Sequence, residues 1–302
     1  MATTPWYGRD TQLTVRMGLT LFLLFVLYTA FLAVLWFATG SAALLVLVGA
    51  GFVLFQYFAS DRLVLLSTGA RVIDDQSQPD LHRIVQRLAQ LADLPTPKLA
   101  LMQTHVPNAF ATGRSPKHAI IAVTSGLLQM LEPAELEAVL GHEMSHIKNR
   151  DMMVLTYASL LASVAAFIVQ IGMWTGFGGS MRGRRGGNNS VAMVFLASAV
   201  VWAVSFFLLR LLSRYREYAA DRGSVLLTGS PAVMRSALIK VSGTASRIPS
   251  ADLRTAQTMN AFFIVPIGAK SSFGELFQTH PTLEHRLARL EEMERGMNAG
   301  RH

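Results

Sequence analysis

The sequence predicts a mainly α-helical membrane protein, with four transmembrane helices and two polar regions of mixed α and β structure. Composition is the first reason: hydrophobic residues make up 51% of the 302-residue chain and charged residues only 15%. A soluble domain normally carries about a quarter charged residues. The second reason is that the apolar residues are gathered into four segments, each close to the roughly 20 residues that a helix needs to cross a bilayer.

The four segments form two pairs that divide the chain. Residues 18–37 and 42–58 form the first pair, and residues 152–177 and 191–209 form the second. A second apolar segment follows the first at once, and no small-residue cleavage site separates them, so we expect a retained anchor and not a signal peptide. The predicted divisions are a transmembrane hairpin (1–60), a polar region (61–151), a second hairpin (152–212) and a second polar region (213–302).

Local patterns predict the elements of the polar regions. Apolar residues at helical spacing predict an amphipathic helix over residues 81–92. Residues 98–102 are a predicted strand, and a β-hairpin follows with strands at 108–112 and 119–123. Thr124 and Ser125 are expected to cap the next helix, and Pro133 suits the first turn of another. Further helices are predicted from Pro231 to about residue 241 and over residues 282–295, and residues 243–272 are predicted to be mostly loop.

Residues 142–146 spell HExxH, the zinc-metalloprotease signature. Positions i and i+4 share a helical face, so His142 and His146 can direct two imidazoles at one metal. Glu143 adjoins the first of them and is placed to act on water as a general base. The chain has no cysteine, so a zinc site must use histidines and carboxylates. The alternative is a surface helix with two solvated histidines.

A candidate third ligand follows the fourth apolar segment. A catalytic zinc takes three protein ligands, and Glu217 and Asp221 share one helical face. Glu217 could bind the metal, while Asp221 could accept the free N–H of a ligating histidine and so fix its ring. The alternative is a charged helix flanking the membrane, which Arg214 and Arg216 would also fit.

Counting the predicted crossings places both halves of this site on one side of the membrane. His142 and Glu217 flank the second hairpin, whose two crossings return the chain to the side it left. The first hairpin does the same, so both polar regions and both termini are expected to lie together. Positive charge near the span ends predicts that this side is cytoplasmic. Three arginines on the opposite side leave open a second hairpin that is only partly in the bilayer: Arg182, Arg184 and Arg185.

These residues resemble the HtpX membrane zinc metalloproteases, relatives of the CAAX prenyl proteases. The resemblance covers nearly the whole chain. It rests on the paired N-terminal segments and on four motifs: NAFATG at 108–113, HEMSHIKNRD at 142–151, REYAAD at 216–221, and His280-Pro281 with Arg286.

The resemblance implies a fold, a cofactor and an activity. The fold is a gluzincin-like α+β zinc protease domain split around the second transmembrane hairpin. One Zn2+ per chain would be bound by His142, His146 and Glu217, with Glu143 as the general base. The resemblance also implies a multi-pass protein of the bacterial inner membrane that takes part in the stress response by cleaving damaged or misassembled membrane proteins.

Two further groups of residues are candidates for contact with the substrate. The strand that begins at Asn108, with Ala109 and Phe110, could bind an extended peptide at its free edge, and Asn108 could bond the peptide directly. The alternative is an ordinary hairpin. His280 could donate a hydrogen bond in the transition state, or His280 and Pro281 could cap the C-terminal helix.

The leading interpretation is an integral-membrane zinc endopeptidase for quality control. The alternatives are a processing protease with a defined peptide substrate and a non-catalytic membrane scaffold, against which the intact Glu143 weighs. The expected partners are the lipid bilayer and a membrane-protein or peptide substrate. The net charge of +8 is explained by basic residues flanking the spans, and without a basic stripe bearing aromatics we expect no nucleic acid. The oligomeric state is left open.

Overall fold

The structure is a computed structural model that describes residues 10–41, 49–51, 64–174, 189–245 and 280–299. The predicted second apolar segment (42–58) lies outside the described residues except at 49–51. The three-arginine stretch and most of the predicted loop at 243–272 also lie outside them. Within the described ranges the chain is mainly helical, as the sequence predicts.

The principal elements follow one another in an order that alternates membrane and polar regions. The helices are α1 (Thr11–Thr39), α2 (Pro79–Ala92), α3 (Ser125–Met130), α4 (Pro133–Lys148), α5 (Asp151–Trp174), α6 (Asn189–Thr228), α7 (Pro231–Ala245) and α8 (Leu283–Asn298), and the strands are β1 (Arg71–Val72), β2 (Lys98–Met102), β3 (Ala109–Thr112) and β4 (Ile120–Thr124). The predicted strand at 98–102, the hairpin and the helices are confirmed, with ends that shift by a few residues. Strand β1 was not predicted, because two residues are too few to show a pattern.

Three of the described helices, α1, α5 and α6, are long and apolar enough to cross a membrane, judged by length and composition. Helix α6 has 40 residues and is therefore about 60 Å long, twice the roughly 30 Å hydrocarbon core of a bilayer. The apolar run ends at Arg210, but the helix continues without a break through Glu217 and Asp221. One rigid element thus joins a candidate span to the candidate metal ligand.

The sheet has the strand order β1-β2-β4-β3. Strands β2 and β4 are parallel, whereas β3 and β4 form the predicted antiparallel hairpin. Strand β3 therefore lies at the edge of the described sheet. Asn108 at its start pairs with β4, because the Thr124 N–H donates to the Asn108 carbonyl at 3.0 Å.

The two largest hydrophobic clusters hold most of the described elements together. The larger one contains Leu88 of α2, Ile121 of β4 and Leu140 of α4, together with Leu238 of α7 and Leu290 of α8. It therefore combines residues from both sides of the α5–α6 pair. The smaller cluster packs α1, α5 and α6 against one another, and the Tyr28 hydroxyl of α1 donates to the Ala158 carbonyl of α5 at 2.7 Å.

Helices α4 and α6 approach each other closely, which brings the two halves of the site together. A Cβ added at Gly223 of α6 would lie 2.2 Å from Ser145 Oγ of α4, so only glycine fits there. One residue further along α6, the Ser224 hydroxyl donates to the Ala138 carbonyl of α4 at 2.6 Å. This contact aligns the histidine-bearing turn of α4 with Glu217.

Candidate active site

Helix α4 begins and ends with defined local structure, and this fixes the direction of its histidines. Glu132 and Glu135 form a capping box, with Pro133 in the first turn. At the other end, Arg150 adopts φ 56°, a left-handed conformation unusual for a residue with a side chain. This turn starts α5 at Asp151, only five residues after His146, so the candidate metal site directly adjoins the first residues of a candidate span.

Three predicted ligands meet at one point. The Nε2 atoms of His142 and His146 are 3.1 Å apart, and the ring planes are almost perpendicular, at 86°. Glu217 Oε2 lies 3.5 Å from His142 Nε2, and Glu217 Oε1 lies 3.5 Å from His146 Nε2. One ligand atom from each residue lies within 4.8 Å of the others, and such a group could hold a metal ion.

The chemistry of this group fits a divalent cation. Two histidine nitrogens and a carboxylate are a donor set found at catalytic zinc sites. Burial disfavours charged imidazoles, but hydrogen bonds to Asp221 and Glu217 raise the pKa of His142 above its usual value. Burial likewise opposes charge on His146, but its hydrogen bond to Glu217 and the Glu217 charge raise its pKa. These carboxylates stabilise positive charge at a point where a cation could replace protons.

His142 is supported by a buried ion pair. Asp221, the predicted partner, places Oδ1 2.9 Å from His142 Nδ1. Arg286 of α8 binds the same carboxylate with two nitrogens, Nε to Oδ2 at 2.8 Å and Nη2 to Oδ1 at 2.5 Å. His142 and Arg286 are each only 1% exposed. The ring orientation of His142 therefore depends on the packing of α8 against α6.

His146 is supported by a second carboxylate that the sequence reasoning missed. Asp151 Oδ2 lies 2.5 Å from His146 Nδ1, and Asp151 forms an ion pair with Arg216 of α6. Asp151 and Arg216 are each 3% exposed. The signal available in the sequence was an acid placed directly before a long apolar run, where a charge is costly without a partner.

Glu143 is directed toward the strand edge. Its Oε2 accepts a hydrogen bond from the Ala111 N–H of β3 at 2.7 Å. Burial raises the pKa of the Glu143 carboxyl, and the nearby charges of His146 and His142 oppose that rise. A carboxylate with a raised pKa is better matched to proton transfer near neutral pH, although a bound cation would itself lower the pKa.

A cleft of about 90 Å3 opens over these groups. Ala109, Phe110 and His280 line it, whereas Asn108 is 2% exposed and is not one of its lining residues. His280 Nδ1 lies 3.1 Å from Glu217 Oε2. The alternative that His280 and Pro281 cap the C-terminal helix is wrong, because Thr282 is the N-cap of α8 and its side chain accepts from the His285 N–H.

Fold and site together define a membrane metalloprotease, and comparison with known proteins identifies the family. Residues 75–294 match the model of peptidase family M48. The chain belongs to this family of metal-dependent proteases, and within it to the HtpX-type membrane metalloproteases.

Similar proteins agree with that assignment. The protease HtpX homolog of Moorella thermoacetica is 55% identical over 97% of this chain and 98% of its own length. Protease HtpX homolog 2 of Methanosarcina acetivorans is 52% identical over 97% and 99%. The fold resembles the crystal structure of S. mikatae Ste24p with a TM-score of 0.54 and 18% identity, covering 93% of this chain and 67% of that one.

Proposed function

We propose that this protein is an integral-membrane zinc endopeptidase that cleaves cytoplasmic regions of damaged or misfolded membrane proteins. The observation that carries the proposal is the convergence of His142, His146 and Glu217 in a cleft beside an edge strand, with Glu143 in the same cleft. A binding scaffold would have no need of a buried carboxylate aimed between the ligands and a peptide-binding edge.

The contacts support a separate proposed role for each residue of the site. His142, His146 and Glu217 would hold one zinc ion, which would supply Lewis-acid chemistry for peptide-bond hydrolysis. Glu143 takes the proton of the attacking water and passes it to the leaving amine. Asp221 orients His142. His280, at the cleft wall, donates a hydrogen bond to the negative charge that develops on the carbonyl oxygen.

Strand β3 is the proposed binding edge for the substrate backbone. Backbone groups alternate in direction along a strand, and Asn108 uses its carbonyl to pair with β4. The Ala111 N–H instead points away from β4, into the cleft, where it reaches Glu143. By the same alternation, Ala109 offers its backbone groups to the cleft, so an extended peptide can pair there as an added strand. Asn108 and Phe110 then support this edge.

The proposed arrangement in the membrane has four spans, one catalytic domain split around the second hairpin, and a cytoplasmic active site in the bacterial inner membrane. Two observations support a split domain. The main hydrophobic cluster combines residues from both polar regions, and Arg289 of α8 pairs with Asp10, at the start of α1, at 2.6 Å. The start of α1 and the C-terminal helix therefore lie together.

The test is the Glu143→Gln variant of the full-length protein, purified with zinc and assayed on an unfolded protein such as casein. We expect the rate constant kcat to fall by about 10²- to 10⁴-fold, the usual contribution of a general base, with zinc content unchanged at one ion per chain. Glu137→Gln is the matched control, because Glu137 lies on the same helix and pairs with Arg87 away from the cleft. Full activity of Glu143→Gln would contradict the proposal, as would activity that survives complete removal of zinc by a chelator.

A further inference from the structure

Helix α6 limits how far the candidate site can lie from the membrane. Its apolar run ends at Arg210, and Glu217 follows seven residues later on the same unbroken helix. At about 1.5 Å per residue, Glu217 lies no more than about 10 Å above the level of Arg210. The apolar run that ends at Arg210 is expected to lie in the hydrocarbon core, which places the hydrocarbon boundary close to Arg210. With the boundary there, about 10 Å is the greatest height of the site above it, and any tilt of α6 brings the site closer.

Helix α5 brings its apolar residues still closer. Asp151 contacts His146, and the apolar run begins at the next residue, Met152. Met152 and Leu155 line the cleft together with Ser213 of α6. The wall of the cleft on the membrane side is therefore made by the first turns of α5 and by the turn of α6 that follows its apolar run.

The cleft also extends in the direction of the membrane. Along α4, His142 lies at the level of Asp221 on α6, and His146 lies at the level of Arg216, nearer the apolar run. A second hollow of about 20 Å3 continues past His146 along the end of β3. Its lining includes Thr112 and Gly113 together with Arg150 and Met153, beside the start of α5.

We propose that the site takes juxtamembrane segments, that is, polypeptide emerging directly from the end of a transmembrane span. This rests on the proposed endopeptidase function and specifies its substrate. An extended chain covers about 3.3 Å per residue, so about three residues reach from the hydrocarbon boundary to Glu217. The segment lies along β3 and leaves the site past Thr112 toward the membrane.

A tether of about three residues suffices only if the active site lies close to the bilayer. A site carried tens of ångströms above the bilayer would need a tether of about ten or more residues, because each residue adds at most about 3.6 Å. A longer tether gains nothing here, since the effective concentration of a tethered segment falls roughly as the −3/2 power of tether length.

The experiment uses the full-length protein in vesicles of phosphatidylethanolamine and phosphatidylglycerol. The substrates share one single-span anchor and one cleavable segment, joined by Gly/Ser tethers of about 1, 4, 8, 16 and 32 residues, with the anchor before or after the segment. The same segment without an anchor measures cleavage in solution, and the Glu143→Gln enzyme is the blank. Mass spectrometry locates the cleaved bond, and initial rates are compared.

We expect cleavage to be fastest with tethers of about 4 to 8 residues, to be lost at about 1 residue, and to fall roughly tenfold by 32 residues. A threshold near ten residues would overturn the inference, as would equal rates for all tethers and for the unanchored segment; both outcomes leave the endopeptidase function intact. No cleavage of any substrate above the Glu143→Gln blank would instead contradict the proposed function, and the inference with it.

Discussion

The two histidines of the HExxH motif are held by different parts of the molecule. The His142 ring contacts the carboxylate of Asp221. That carboxylate accepts hydrogen bonds from two nitrogens of Arg286 in α8. The His146 ring contacts the carboxylate of Asp151, the first residue of α5. Asp151 also forms an ion pair with Arg216 of α6. One histidine is thus oriented by the C-terminal helix and the other by the ends of two candidate spans. The geometry of the candidate metal site therefore depends on how the apolar helices and the polar regions are assembled.

The two histidines also differ in their exposure to water. The His142 side chain is 1% exposed, whereas that of His146 is 17% exposed. Arg216 lines the cleft, but Arg286 is enclosed in the protein interior. Removing a partner from an enclosed charge costs more than removing one from a charge beside a cleft that water can enter. We therefore expect the His142 support to be the more sensitive of the two.

The largest effect is expected from Asp221→Asn. Arg286 would remain buried after losing its two short hydrogen bonds to Asp221, with only Glu217 Oε2 at 3.6 Å as an anionic neighbour, and the free energy of unfolding should fall by about 3–5 kcal/mol. Zinc affinity should fall about 10- to 100-fold, because the carboxylate no longer fixes His142. Denaturation of the metal-free protein and zinc competition with a chelator measure the two quantities separately. Adding Arg286→Met should recover stability but not zinc affinity; recovery of both would contradict an orienting role.

A smaller effect is expected from Asp151→Asn. Arg216 is 3% exposed but borders the cleft, so water entering the cleft can take the place of the lost charge, and the stability loss should be about 2 kcal/mol, below the range for an enclosed pair. Zinc affinity should fall about tenfold. The spectrum of the cobalt-substituted protein should change in both aspartate variants, since ligand orientation changes in both. A stability loss larger than that of Asp221→Asn would reverse the proposed ranking.

Gly223→Ala should disturb both supports together. The added Cβ would meet Ser145 at 2.2 Å, so α4 must move relative to α6 at a cost of about 1–3 kcal/mol. Because Ser145 lies between the two histidines, zinc affinity and activity should fall together. Ser145→Gly removes the obstructing atoms and should restore most of the zinc affinity in the double variant. Failure of that rescue would show that the effect does not come from the α4–α6 contact.

The smallest effect is expected at the far end of α4, where Lys240 and Ser236 hydrogen-bond to Glu135. Burial opposes ionisation of Glu135, but these hydrogen bonds lower its pKa below the usual value. Because the Glu135 pKa is lower in the folded than in the unfolded state, ionised Glu135 stabilises the protein fully above the unfolded pKa of about 4.5. This stabilisation is lost as the pH falls through the folded-state pKa. Lys240→Met should thus cost under about 1 kcal/mol at pH 7 and less below pH 4, without changing zinc affinity. A pH-independent loss would show that packing dominates.

Much of this molecule could be predicted from local pattern. The strand at 98–102, the hairpin after Asn108 and the helix opened by Pro133 each follow from spacing and turn residues close in the sequence. Counting the apolar segments predicts that Glu217 and the HExxH histidines lie on the same side of the membrane, and the resemblance to the HtpX family implies that they share a metal. Asp151 was missed because its role depends on a turn at Arg150 with φ 56°, and no local pattern predicts that a basic residue will adopt that conformation.

The sequence by itself determined the class of protein, the apolar helices and the residues able to bind a metal, because periodicity and motif spacing are local properties. Only the tertiary structure decided which carboxylate supports which histidine, since that depends on helices α5, α6 and α8 meeting at α4. It alone also showed that α6 continues unbroken from a candidate span to Glu217, the observation on which the proposed height of the site depends. The physical reason is that distances between remote residues are fixed by packing, as at Gly223 and Ser145, and not by sequence separation.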